Sequence, residues 1–373
     1  MRYAPTSWTP LFDNLTFQPS PGNFKRGEQL VDMDRDGDID IVFPRGWIRP
    51  GLKEHASGLF LNDGTGRFVQ RHNVFPAHIE NHVQAIVFDA NGDKWPDVIF
   101  RALDHHNINV GRTRMYFSTR AATVFVDATA NLPVPQAKAV SDFLPVDVDQ
   151  DGDLDLVVAR GYWAGAFCTN YLWINDGKGR FKPTQRAWPQ VADSTNHVES
   201  GDIDGDGDED LVFSSGWVPG TPRNAFTHRI YLNDGKGGFS LGKFPVSTST
   251  PDKGNGPFYL EDFDQDGDLD ILLDRHHEFI FPTRVARPTL FLNDGKGRFI
   301  DATASHWTGL PGARVRVGDV DGDGDPDIWS TQLILPRLYN YIWVNLSRQL
   351  HVPRVPILGQ VCDIEIYASK GSG

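Results

Sequence analysis

The chain has 373 residues, 39% apolar and 12% aromatic, which is enough for a packed core and argues against global disorder. Its formal charge of −13 excludes the basic surface that a nucleic-acid partner needs, and no run of about 18 apolar residues spans a membrane. Glycine (37) and proline (25) are frequent, as in folds of many short strands joined by turns.

In chain order, Met1-Arg2-Tyr3-Ala4-Pro5 lacks the apolar stretch of a secretory leader. Leu11-Phe12-Asp13-Asn14-Leu15-Thr16 reads as a strand. A first acidic loop follows, with aspartates at Asp32, Asp34, Asp36, Asp38 and Asp40, and the strand Asp40-Ile41-Val42-Phe43 leads into Arg45-Gly46-Trp47. An apolar run then ends in Asn62-Asp63-Gly64, and Phe68 opens the next strand. Asn and Asp beside Gly tolerate positive φ and mark a tight hairpin. The strand Ala85-Ile86-Val87-Phe88 leads into a second loop carrying Asp89, Asn91, Asp93 and Asp97, with Lys94 where the first loop has Gly37. Asp104-His105-His106-Asn107 comes next, and the hairpin is degenerate between Tyr116 and Phe125.

The third loop holds Asp147, Asp149, Asp151, Asp153 and Asp155; Arg160-Gly161-Tyr162-Trp163, Asn175-Asp176-Gly177 and Phe181 follow it. The fourth holds Asp202, Asp204, Asp206, Asp208 and Asp210, then Ser215-Gly216-Trp217, Asn233-Asp234-Gly235 and Phe239. The fifth holds Asp262, Asp264, Asp266, Asp268 and Asp270, then Arg275-His276-His277, Asn293-Asp294-Gly295 and Phe299. The sixth holds Asp319, Asp321, Asp323, Asp325 and Asp327, and its repeat stops at Trp343-Val344-Asn345.

The six loop starts lie 57, 58, 55, 60 and 57 residues apart, a regularity chance does not produce. Each period reads as four strands: A before the loop, B after it, C ending at Asn-Asp-Gly, and D opening at the phenylalanine. No segment shows sustained helical periodicity. Four strands per period of roughly 40–60 residues predict an all-β fold, a β-propeller of six four-stranded blades over residues 1–345. The strand at Leu11 resembles the D strands that begin at Phe125 and Phe299, and the sixth repeat lacks one. The N-terminal strand is therefore expected to complete the last blade and close the ring. The alternative is seven blades, with residues 346–373 and 1–25 forming the seventh.

Carboxylates at positions 1, 3 and 5 of a tight loop converge on a point, and hard oxygen donors suit Ca²⁺. Glycine at position 6 permits the turn, position 7 offers a backbone carbonyl, and the aspartate at position 9 closes the site. Six divalent ions would bring twelve positive charges against the formal −13. An EF-hand needs glutamate at position 12 and flanking helices; here that position holds Phe43, Phe100, Val158, Phe213, Leu273 and Ser330 between strands. The competing reading is a set of solvated acidic turns without metal, and six copies with aspartate always at position 5 count against it. The second loop, with Asn91 and Lys94, is expected to bind least tightly.

These repeats resemble the FG-GAP or VCBS type found in the integrin α-subunit propeller and in many secreted bacterial proteins, over about residues 10–345. The resemblance implies loops between strands A and B on one face of a disc, mainly structural calcium at about one ion per blade, and an extracellular or periplasmic location.

On that reading the B–C loops ring the opposite face. They carry Trp47, His105, His106, Tyr162, Trp163, Trp217, His276 and His277, aromatic and polar groups suited to a glycan or protein ligand. The alternatives are that the tryptophans plug blade interfaces and that the histidines are solvated. Gln29, Glu199, Tyr259 and Arg316 share one register on strand A. The expected function is a binding or adhesion module. Its rivals are a carbohydrate-active lyase or hydrolase using Glu199, Tyr259 and the paired histidines, and a structural subunit of a surface assembly. The tail, residues 346–373, departs from the repeat and is a candidate for docking on the disc, for self-association or for beginning a further element. Cys168 and Cys362 either pair or stand as two small apolar residues.

Overall fold

The computed structural model describes residues 27–44, 57–76, 82–102, 113–119, 124–133, 140–161, 168–184, 189, 191–215, 228–245, 258–274, 288–306, 314–319, 324–334 and 337–343. They form antiparallel sheets with almost no helix. The first sheet runs β1 (Gln29–Val31), β2 (Asp40–Phe43), β3 (Gly58–Asn62), β4 (Phe68–Arg71). The second runs β5 (His82–Phe88), β6 (Asp97–Ala102), β7 (Arg114–Ser118), β8 (Phe125–Asp127). The third comprises β9 (Val140–Val146), β10 (Asp155–Arg160), β12 (Tyr171–Ile174) and β13 (Lys182–Pro183), with β11 (Cys168–Thr169) and β14 (Ala192–Asp193) paired separately. The fourth runs β15 (Thr195–Gly201), β16 (Asp210–Ser215), β17 (Arg229–Asn233), β18 (Phe239–Leu241). The fifth runs β19 (Phe258–Glu261), β20 (Asp270–Leu273), β21 (Thr289–Leu292), β22 (Ile300–Asp301), and the sixth β23 (Arg314–Gly318), β24 (Asp327–Ile334), β25 (Arg337–Trp343). One short helix, α1 (Thr303–His306), and a 3₁₀ turn (Thr129–Asn131) follow fourth strands.

The chain divides into two compact units, residues 1–132 with 178–180, and residues 133–177 with 181–373. In the first unit one apolar cluster joins the first two sheets, built from Val42, Leu59 and Leu61 on one side and Ala85, Val98 and Phe100 on the other. In the second unit three clusters lie between successive sheets: Val157 with Leu211 and Phe213, Val212 with Ile271 and Phe291, and Leu272 with Val315 and Ile328.

This stacking explains the sequence pattern of the second strands. In the third, fourth and fifth sheets this strand is buried on both faces, so it reads as a continuous apolar run rather than an alternation. Val157, Val158, Leu211, Val212, Phe213, Ile271 and Leu272 are fully buried. The fourth strands lie at sheet edges and return to alternation, leaving Val69, Val126 and Ile300 exposed.

Two features depart from the repeat as read from sequence. In the third and fifth sheets the fourth strand begins one residue after the phenylalanine, at Lys182 and Ile300. The degenerate second hairpin still completes a four-stranded sheet, with Ser118 opposite Phe125. The expected N-terminal strand at Leu11–Thr16, the tail beyond residue 345 and Cys362 lie outside the described residues, while Cys168 is half-buried on β11.

Candidate metal centre

Each acidic loop joins the first strand of a sheet to the second, and its base is the same in all six sheets. Asp40 pairs with Val31, Asp97 with Phe88, Asp155 with Val146, Asp210 with Gly201, Asp270 with Glu261 and Asp327 with Gly318. Position 9 is therefore the first residue of the second strand.

The position-1 carboxylate folds the loop around itself. Oδ2 of Asp32, Asp147, Asp202, Asp262 and Asp319 accepts the N–H of Gly37, Gly152, Gly207, Gly267 and Gly324 at 3.0–3.1 Å. In Asp32, Asp147, Asp202 and Asp262, Oδ1 also accepts the position-5 N–H, at 3.1–3.2 Å. Those glycines sit at φ 87–99°, where a side chain is disfavoured. In the second loop Lys94 takes that place at φ 70°, its N–H on Asp89 Oδ2 at 2.6 Å.

The position-9 carboxylate ties three segments together. Oδ2 of Asp40, Asp97, Asp155, Asp210 and Asp270 accepts the N–H of Met33, Ala90, Val148, Ile203 and Phe263 at 2.9–3.3 Å. Oδ1 accepts the N–H at the end of the third strand, from Asn62, Ser118, Asn175, Asn233 and Asn293, at 2.7–2.8 Å. All five aspartates are at most 1% exposed. Burial, opposed in part by these amide bonds, pushes Asp97, Asp155, Asp210 and Asp270 up to about 7, and Asp40 in the same direction.

Within four loops, three carboxylates each bring one oxygen within 4.8 Å of the others: Asp32, Asp34 and Asp36; Asp147, Asp149 and Asp155; Asp202, Asp204 and Asp206; Asp262, Asp264 and Asp270. Position 3 bears the strain. Asp34, Asp204 and Asp264 are raised by burial and then by the carboxylates at positions 5 and 1. Oδ1 of Asp34 and of Asp204 is buried without a hydrogen-bond partner. A buried acceptor left unsatisfied costs about 1–3 kcal/mol, more when charged. An all-oxygen set of converging carboxylates fits a hard divalent cation such as calcium better than zinc, whose structural sites are built from Cys sulfur and His nitrogen.

The remaining members of the predicted set divide. Position-7 carboxylates turn toward the hairpins: a Cβ on Gly64, Gly177 or Gly295 would lie 2.7, 2.2 or 2.5 Å from Oδ2 of Asp38, Asp153 or Asp268. Burial and the neighbouring Asp206 push Asp208 up to about 6. In the second loop Asn91 Oδ1 accepts the Asp93 N–H at 3.0 Å. Asp325 is buried, whereas Asp321 and Asp323 lie outside the described residues.

The FG-GAP-like repeat family matches residues 32–100, 113–213 and 274–330, more than half of the chain. The chain belongs to this family. No curated protein sequence matches it. Among solved structures, the crystal structure of the V. cholerae biofilm matrix protein Bap1 is similar, with a TM-score of 0.39 and 16% identity over 73% of this chain. The chain spans 40% of that protein's length.

Two contacts between successive FG-GAP-like repeats were not legible in the motif. Asn233 Nδ2 and the Gly237 N–H both donate to Val148 O of the preceding loop at 2.9 Å, and Asn293 Nδ2 and the Gly297 N–H donate to Ile203 O at 2.8 and 3.0 Å. Position 4 also reaches the next loop: Arg35 donates to Lys94 O at 3.2 Å and Gln150 to Gly207 O at 3.3 Å. On strand A, the Tyr259 hydroxyl donates to Val315 O and accepts from Arg316, at 2.8 and 3.1 Å. Glu199 is engaged by His197 and by the Leu260 N–H. The B–C residues Trp47, His105, His106, Tyr162, Trp163, Trp217, His276 and His277 lie outside the described residues.

Proposed function

We propose that this FG-GAP-like protein is an extracellular or periplasmic binding module whose acidic loops each hold a calcium ion, mainly as structural stiffening. The observation that carries this reading is the convergence of three carboxylates in four loops, position 3 always among them; in Asp34 and Asp204 that carboxylate also keeps an Oδ1 that is buried and unpartnered. Loosely built all-oxygen sites fill at the calcium levels found outside cells, which supports the location.

The repeats form a six-bladed propeller over residues 1–345, with the strand at Leu11 completing the last blade and residues 346–373 as a separate element. Leu30 and Ile39 support a ring. They stand 69% and 51% exposed on the first sheet, in the positions where Leu260 and Leu269 of the fifth sheet lie against Gly201 of the fourth. That face is suited to one more neighbouring sheet. The B–C loops then present Trp47, Trp163, Trp217 and the paired histidines to a glycan or an extracellular protein.

Calorimetric titration of chelator-stripped protein with calcium, followed by melting, is the test. Uptake approaching one ion per repeat with a rise in Tm supports the reading; no uptake and no rise in Tm defeat it. Glycan-array and pull-down experiments on the calcium-loaded protein then address the ligand, and blanks in both would remove the binding role.

A further inference from the structure

Away from the acidic loops, three ionisable groups meet on the first strands of the third and fourth sheets. His197 on β15 directs Nδ1 to Asp142 Oδ2 of β9 at 2.7 Å and Nε2 to Glu199 Oε1 at 2.5 Å. The second oxygen of Glu199 accepts the Leu260 N–H of β19 at 3.3 Å, which brings in the fifth sheet. Asp142 is 5% exposed, and the His197 side chain 12%.

A neutral imidazole has one N–H, so it can donate to one carboxylate while its other nitrogen faces the second as acceptor against acceptor. Both contacts become hydrogen bonds when the ring is an imidazolium. Among the described residues, β16 places Ser214 opposite His197, and β19 lays the Phe258 ring 5.3 Å from it. From the same side Tyr259 and Glu261 feel the Glu199 charge, and Arg316 is spent on the Tyr259 hydroxyl and Val315 O.

We propose that Asp142, His197 and Glu199 form a proton-dependent clamp that holds the first strands of the third, fourth and fifth sheets together, and that loosens when His197 loses its second proton. A histidine that gains two carboxylate partners on folding contributes stability below the ordinary histidine range. That contribution disappears as pH rises through the folded-state titration.

The direct test is ¹⁵N NMR of the imidazole rings in the full chain with excess calcium, so that the acidic loops stay filled throughout. His197 is assigned by the signal missing from His197→Gln. At pH 7.5 an exposed histidine, titrating near 6.5, is about nine-tenths neutral. The expected result is that both His197 nitrogens still carry protons at that pH and that the ring titrates at least one pH unit higher. A ring that titrates at the ordinary value, or that is a single neutral tautomer at pH 7.5, overturns the proposal. As a second readout, the wild type should lose more Tm between pH 7 and 9 than Asp142→Asn does. Equal losses in the two proteins also overturn it, and the wild-type spectrum decides the matter if the variant fails to fold.

Discussion

Asp264 and Asp270 belong to the same loop and the same group of converging oxygens, yet the structure gives them different duties, and paired Asp→Asn substitutions separate those duties. Asp270 is fully buried and accepts two backbone N–H groups, from Phe263 at 2.9 Å and Asn293 at 2.8 Å. Asparagine has one acceptor oxygen, so one of these buried amides would face an NH₂ group. At pH 8, above its titration at about 7, Asp270 is ionised; bonds to a charged acceptor contribute about 1.5–3 kcal/mol, and an unsatisfied buried donor costs about 1–3 kcal/mol. Asp270→Asn should therefore lower the stability of calcium-stripped protein by about 3 kcal/mol. Among the described residues Asp264 accepts only the Asp266 N–H, at 3.3 Å, and it sits against the carboxylates of Asp266 and Asp262. Without metal, Asp264→Asn relieves repulsion and should change stability by no more than about 0.5 kcal/mol. With calcium at roughly a hundred times its Kd, either variant should forfeit the linkage gain of one site, about 2.7 kcal/mol. Urea unfolding with chelator and with calcium reads both quantities. If Asp264→Asn destabilises the stripped protein as much as Asp270→Asn does, or keeps the full calcium gain, the division of labour is wrong.

Lys94→Gly should stabilise the protein. A left-handed conformation costs an L-residue roughly 1–2 kcal/mol while glycine loses about 0.5–1 kcal/mol of backbone entropy, so the net gain is up to about 1.5 kcal/mol, read as a higher Tm. In chelator-stripped protein, stability should fall as pH rises from 4 to 8. Asp97, Asp155, Asp210 and Asp270 move from 3.8 when unfolded to about 7 when folded, and a raised carboxyl stabilises while it keeps its proton. Saturating calcium favours the ionised form, so it should flatten or invert that slope; parallel urea melts at pH 5, 6, 7 and 8 would show it. Asn293→Ala removes side-chain bonds to Ile203 O and Leu269 O at 2.8 and 3.1 Å. It should cost about 2 kcal/mol while leaving the Asn293 N–H on Asp270 intact, and a cost below about 0.5 kcal/mol in urea unfolding would count against the stapling role.

The repeat was legible because its chemistry is local. Aspartates at alternating positions, the glycine at position 6 and the Asn-Asp-Gly hairpin each answer to a short-range geometric demand, and each recurs. The second hairpin was harder to see because sequence shows side chains while Asp97 needs a backbone N–H. Ser118 supplies that group as well as Asn62 or Asn175 does in its own sheet. The Asp142–His197 pair was illegible for a different reason. Both residues stand five positions before their loops, but the meaning of that position depends on two neighbouring sheets bringing β9 against β15. The Gln150 contact with the next loop has the same origin.

The hydrogen bonds of the acidic loops also bear on how strongly folding should depend on metal. In a small zinc domain the ligands have no other employment, and the chain unfolds without its ion. Here position 1 is occupied with the loop's own amides and position 9 with one loop amide and one at the end of the third strand, and consecutive sheets share large apolar clusters. The fold therefore has its own support before any ion arrives. What the ion would add is confined to position 3 and the repulsion around it, where Asp34 and Asp204 keep a buried oxygen without a hydrogen-bond partner. Stripping calcium should for that reason lower the melting temperature and leave the strand content in place. Collapse of the far-ultraviolet β signal on chelation at 25 °C would mean that the amide network is not self-sufficient.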